Sequence, residues 1–205
     1  MPMPSPPRGF SIALLVAVGI GSFHDRAAAQ PAVAAGEGVF TIADGGMSLE
    51  APAGWRRVQP KSGIVETEFA VPSEGNGPDG GPLAPGRMTV MGAGGSVEAN
   101  IDRWCGQFTQ PDGSATKDRA TTKKFAVAGC NATLVDIAGT FKDMPGGPFA
   151  GGQAIERPDW RMLAAIIETP RGGNYFLKFT GPAATVAGQA DGFRRMVEGL
   201  VASGK

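Results

Sequence analysis
The chain carries one histidine, His24, one tyrosine, Tyr175, and two cysteines, Cys105 and Cys130. These few residues bound the chemistry within reach. His24 falls in a segment that reads as a removable leader, so the working protein has no imidazole. That excludes Ser-His-Asp and Cys-His triads, and zinc sites built on imidazole. The commonest general base goes with them. Any catalysis falls to carboxylates, Lys, Tyr175 or Cys. The residues give no catalytic constellation, no metal-ligand set and no cofactor motif. Glu66 and Glu68 alternate along one predicted strand, with Val65, Thr67, Phe69 and Val71 on its other side. That spacing predicts a solvated face rather than a catalytic dyad.

Cys105 and Cys130 form an even pair in a chain that reads as exported, so a disulfide is one reading. In the chain-entropy picture it stabilises by about 3 kcal/mol. Two separate buried thiols is the other, because Cys105 shares the apolar side of its helix with Val97, Ile101, Trp104 and Phe108. The pair lacks Cys-x-x-Cys spacing and is not a redox motif. Gly92-Ala93-Gly94-Gly95-Ser96 looks like an anion cradle at a helix start. It lacks the third glycine of a dinucleotide loop and the Gly-Lys of a P-loop, so a tight turn with a Ser cap is expected. Residues 142–159 are rich in Gly and Pro and read as one long loop. Long loops in compact domains tend to carry function. Asp143, Met144, Phe149 and Arg157 are therefore the candidate binding residues, with Met144 and Phe149 as apolar contacts.

The elements that must position these residues follow from the pattern. Arg8, an apolar run over 10–23 and Ala27-Ala28-Ala29 have the order of a secretory signal. We read residues 1–29 as a cleaved signal peptide, 30–38 as a flexible leader and 39–205 as a single α+β domain. The apolar run is too short to serve comfortably as an anchor, which takes roughly 20 apolar residues. No stable membrane insertion is expected after cleavage. The 19 Lys+Arg balance 19 Asp+Glu, so nothing draws the chain to nucleic acid. With 32 Gly and 17 Pro, tight turns are favoured over long helices.

Short strands at 39–43 and 47–51 flank Asp44-Gly45-Gly46, a hairpin signal. Further strands are predicted at 64–71, 87–93, 121–128, 130–141, 160–169 and 174–180. Leu163 to Ile167 is uninterruptedly apolar, as expected of a strand covered on both faces. Helices are predicted over 97–108 and from Pro182 to about Val201. The second has its apolar stripe at Val186, Ala190, Phe193, Met196, Val197 and Leu200. Strands and helices do not alternate regularly, which disfavours a doubly wound parallel sheet. A mainly antiparallel β-sheet with helices on both faces is expected.

The element order, Ala51-Pro52-Ala53-Gly54-Trp55 after the first hairpin, and the amphipathic last helix resemble the PsbP-like/Mog-like superfamily. The resemblance spans roughly residues 51–201 and implies an α/β/α sandwich. That superfamily includes extrinsic proteins of photosystem II, a Ran-binding import factor and exported bacterial proteins. It implies an accessory or binding role and supplies no catalytic set. The expectation is an exported protein, periplasmic or extracellular, that binds a protein or small-molecule ligand in the envelope through surface loops, without cofactor. The alternative is a hydrolase or lyase using Asp/Glu and Lys without histidine, with Asp143, Glu156 and Arg157 converging in one cleft.

Overall fold
The computed structural model describes residues 1, 38–77, 80–144, 153–170 and 173–203. The chain divides into two units, Met1–Ala32 and Val33–Lys205, and every element below belongs to the second. In order these are β1 (Val39–Ile42), β2 (Met47–Glu50), β3 (Arg56–Val58), β4 (Thr67–Val71), β5 (Gly86–Ala93) and α1 (Val97–Cys105). They continue with β6 (Phe108–Thr109), α2 (Thr116–Arg119), β7 (Thr121–Val127), β8 (Cys130–Asp143) and β9 (Ile155–Glu168). The last are β10 (Asn174–Pro182), α3 (Ala183–Glu198) and β11 (Val201–Ala202).

The sheet is antiparallel throughout its described pairings. β1, β2 and β11 form a three-stranded sheet, and the others an eight-stranded one ordered β3-β4-β5-β10-β9-β8-β6, with β7 also on β8. The first hairpin turns through Ala43, Asp44 and Gly45, all at positive φ, which a short Gly-containing loop accommodates. Pro52 stops β2, since it has no N–H for a ladder. Gly54 then turns the chain at φ 85° and delivers Trp55 to the core. Trp55 is 2% exposed and its indole N–H donates to Gln189 on α3 at 2.9 Å.

Alternation along β9 divides the interior into two clusters. Leu163, Ala165 and Ile167 pack with Val186, Phe193 and Val197 of α3 and with Phe40, Ile42 and Leu49 of the small sheet. Met162, Ala164 and Ile166 pack with Val97, Trp104 and Cys105 of α1. Successive side chains of a strand point to opposite faces, so the clusters lie on opposite sides of the large sheet. Every residue of the stripe expected on α3 is buried. Among the described residues, no helix is long and apolar enough to cross a membrane.

Several expectations need correction. The helix from Val97 ends at Cys105, and Phe108 starts β6 opposite Phe141. The two ends of the predicted loop are strand: Lys142 opposes Glu156 and Asp143 opposes Ile155, and β8 and β9, which form an arm, are fourteen residues each. Its Gly-rich centre hid the extension, because the flanks 142–143 and 155–159 are polar and read as loop. Glu68 does not face water. It is 5% exposed and receives two hydrogen bonds from Arg87, at 2.8 and 2.7 Å. Cys105 and Cys130 are free and buried. They sit in opposite clusters with the sheet between them, which is why no disulfide joins them.

Candidate functional site
The sheet face under α1 is only partly covered by it. Nine residues of helix span about 13 Å, whereas the strand order β3 to β6 spans about 30 Å. The α1 cluster takes in β8, β9, Phe176 of β10 and Met91 and Ala93 at the end of β5, and leaves out Thr89, Glu68 and the β3 strand. Val58 opposes Glu68, Glu68 opposes Thr89, Thr89 opposes Lys178 and Lys178 opposes Ala164. Directly opposed residues project from one face. This row runs from the apolar floor beneath α1 to an open cleft of about 720 Å³ lined by Val58, Gln59, Pro60, Ser62, Val65 and Glu68.

Lys178 is the unusual member. It is partly buried, with its amine 5.4 Å from the centre of the Trp104 ring and donating to Gln107 Oε1 at 3.2 Å. Burial, with the nearby Arg103 and Arg87 guanidiniums, holds its pKa at about 8 against an ordinary 10.5. No carboxylate pairs with it among the described residues. Arg103, exposed on α1, is similar. Its guanidinium donates to Asn100 Oδ1 at 2.6 Å, a neutral acceptor. Arg87, Arg119, Arg157, Arg161 and Arg194 each meet a carboxylate, whereas Arg57, like Arg103, donates to a neutral acceptor, the Val39 carbonyl, at 2.9 Å. Lys178 and Arg103 are thus two cations oriented by neutral amides, with no carboxylate partner among the described residues.

Other groups have been tuned away from reactivity. The Arg87 hydrogen bonds hold the Glu68 carboxyl below the usual carboxylate range, so it stays ionised at neutral pH. Burial pushes both thiols up, away from the nucleophilic thiolate. Burial and the Glu66 carboxylate push Tyr175 up as well. Chemically, the arrangement can hold an anion and can present a partly neutral amine.

The residues singled out from the sequence are elsewhere. Asp143 and Arg157 pair across the arm at 3.3 Å, with Arg157 lying 5.8 Å over the Trp160 ring. Met144 is 37% exposed beyond them, and Phe149 lies outside the described residues. Roughly 23 Å of extended β9 separates Arg157 from Ala164, the neighbour of Lys178. The arm and the Lys178 row are therefore separate places. Ser96 caps α1 as expected, accepting from the Ala99 N–H at 3.1 Å. Lys178 had one sequence signal: it is the lone charge in Asn174-Tyr175-Phe176-Leu177-Lys178-Phe179.

No family model matches the chain, and no curated protein matches its sequence. Among solved structures it is similar to the PA94 protein of unknown function from Pseudomonas aeruginosa, at 13% identity and a TM-score of 0.44, covering 82% of this chain and 97% of that one. It is also similar to the cyanobacterial PsbP of Synechocystis sp. PCC 6803, at 10% identity and a TM-score of 0.44, covering 84% and 99%.

Proposed function
We propose that the protein is exported by a cleaved signal over residues 1–29, and acts in the periplasm or outside the cell as a non-enzymatic binding protein. On this reading the fold is an α/β/α sandwich, with α1 and α3 as its outer layers. The ligand lies on the polar row beside α1. One observation carries this: the half-buried Lys178 amine is oriented by the neutral Gln107 amide and has no carboxylate partner among the described residues. Half-buried cations such as Lys178 are ordinarily paired, and an unpaired one is a functional-site candidate.

The test is to purify the exported protein from its own envelope and weigh it by native mass spectrometry. N-terminal sequencing of the same material should start near Gln30. A bound mass in the wild type that disappears in Arg103→Gln supports the reading. A bound mass retained in that variant places the ligand elsewhere, with Met144 and Phe149 of the arm next to be tested. An intact segment 10–23 would overturn the export signal.

The second reading, a lyase without histidine, rests on the same amine. At a pKa of about 8, part of Lys178 is neutral at pH 7 and nucleophilic toward carbonyl carbon. Borohydride reduction in envelope extract separates the two. A reduced adduct on Lys178 supports the lyase, and an unmodified Lys178 supports binding.

A further inference from the structure
We infer that the ligand group bound on this face is an oxyanion, carboxylate or sulfate-like, held at the Lys178 amine in the field of the Arg103 guanidinium; this rests on the face being the binding site. The two cations come from different elements and are fixed independently. Asn100 is 3% exposed, and its Nδ2 donates to the carbonyls of Gly94 and Ser96, at 3.2 and 2.9 Å. That fixes which end of the amide points outward, so Oδ1 is presented to Arg103. Gln107 is fixed through its backbone: its N–H donates to Trp104 O at 3.0 Å, and its own carbonyl accepts from the Lys142 N–H at 2.8 Å. Its side-chain oxygen is left for Lys178. A neutral acceptor orients a cation without cancelling it, which is the arrangement an anion needs. A carboxylate in either place would occupy the site.

The charged groups whose field reaches Lys178 are Arg103 on α1 and Arg87 on β5, the latter held by Glu68 on β4; β9 contributes the neutral Ala164. The surroundings are therefore net cationic. They repel a second cation and attract an oxyanion, whose hydrogen bond from the ammonium is charge-assisted. Thr89, next on the row, adds a neutral hydroxyl. An anion seated there also favours the protonated amine. Binding should then weaken as the solution turns alkaline, through loss of the Lys178 proton.

The probes are sodium sulfate and sodium succinate, neither of which titrates between pH 7 and 9.5. Each is titrated into the exported protein against sodium chloride at constant ionic strength, with amide chemical shifts as readout. The expected result is saturable movement of the Arg103, Gln107 and Lys178 amides, weakened about tenfold in Arg103→Gln and in Lys178→Met. Sulfate binding tighter than succinate assigns a tetrahedral anion, and the reverse order a carboxylate; either supports the proposal. Affinity should also fall about tenfold from pH 7 to pH 9.5 in the wild type, but not in Lys178→Met. If Lys178→Met fails to fold, Arg103→Gln on the exposed helix surface still decides. Shifts no larger than chloride produces, or equal affinity in Arg103→Gln, overturn the proposal. Its failure is distinguishable from failure of the binding reading. A native ligand that is lost in Arg103→Gln but carries no anionic group removes the oxyanion alone. A native ligand that survives Arg103→Gln removes both.

Discussion
Replacing Lys178 by Met should make the protein more stable at neutral pH, and the gain should reverse in alkali. The unfolded chain holds the lysine proton with an ordinary pKa of 10.5, the folded one with a pKa of about 8. At pH 7 both states are charged, and the folded state bears the whole difference, about 3 kcal/mol. Methionine keeps the length of the stem without the charge. It gives up the hydrogen bond to Gln107, about 1 kcal/mol, and the contact with Trp104, about 0.5–1 kcal/mol. The net expectation is a gain of about 1 kcal/mol at pH 7. The pH dependence is the sharper readout. Between pH 8 and 10.5 the unfolded state binds more protons than the folded one, so wild-type stability rises with pH over that window. The variant lacks this rise. Urea unfolding of both proteins from pH 7 to pH 11, taken as a difference, isolates it. Tyr175, Cys105 and Cys130 have raised pKa values and weaken the folded state in alkali, but equally in both proteins. The difference should shift by about 3 kcal/mol in favour of the wild type toward high pH, passing through zero and changing sign. Parallel curves would show that Lys178 is an ordinary solvated amine and would refute the reasoning.

Other perturbations test the surrounding structure. Glu68→Gln should destabilise by about 1–3 kcal/mol at pH 7, since it breaks a buried, doubly hydrogen-bonded pair with Arg87. Because the folded carboxyl titrates below its ordinary 4.5, the wild-type advantage is complete above pH 4.5 and disappears as pH falls through the folded value; acid denaturation curves of the two should converge. Gly86→Ala should lower stability by about 1–3 kcal/mol, because a Cβ there would overlap the buried Phe179 ring, and thermal unfolding measures it. A thiol reagent should leave Cys105 and Cys130 unmodified in the native protein and label both in denaturant. One thiol labelled natively, or none in non-reducing denaturant, contradicts the separated, buried thiols.

Local pattern carried much of the fold. The stripe on α3, the Ser96 cap, the Asp44-Gly45 hairpin and the apolar run of β9 are each written in neighbouring residues, and each formed where expected. What failed depends on partners distant in sequence. Glu68 alternates with Glu66 as a solvated pair would, yet Arg87 and the residues before β4 enclose it. β3, with three residues, is too short to announce itself and exists because β4 offers an edge. The arm extends into polar sequence because Lys142 and Glu156 can pair on an exposed ladder, where polarity says nothing against a strand. The candidate site was illegible for the same reason. Only the register across β4, β5, β10 and β9 places Lys178 next to Thr89, and only the short α1 brings Arg103 and Gln107 over it.

The account stands on an uncompensated amine that an anion can claim, and the lysine side chain can be watched directly. With lysine labelled at Cε, the carbon shift of Lys178, assigned by its absence in Lys178→Met, is followed against pH with and without sulfate or succinate. The account predicts a midpoint near 8 in chloride and one at least about one pH unit higher with the bound anion. A midpoint near 10.5 in chloride, or one that neither anion moves, would contradict it.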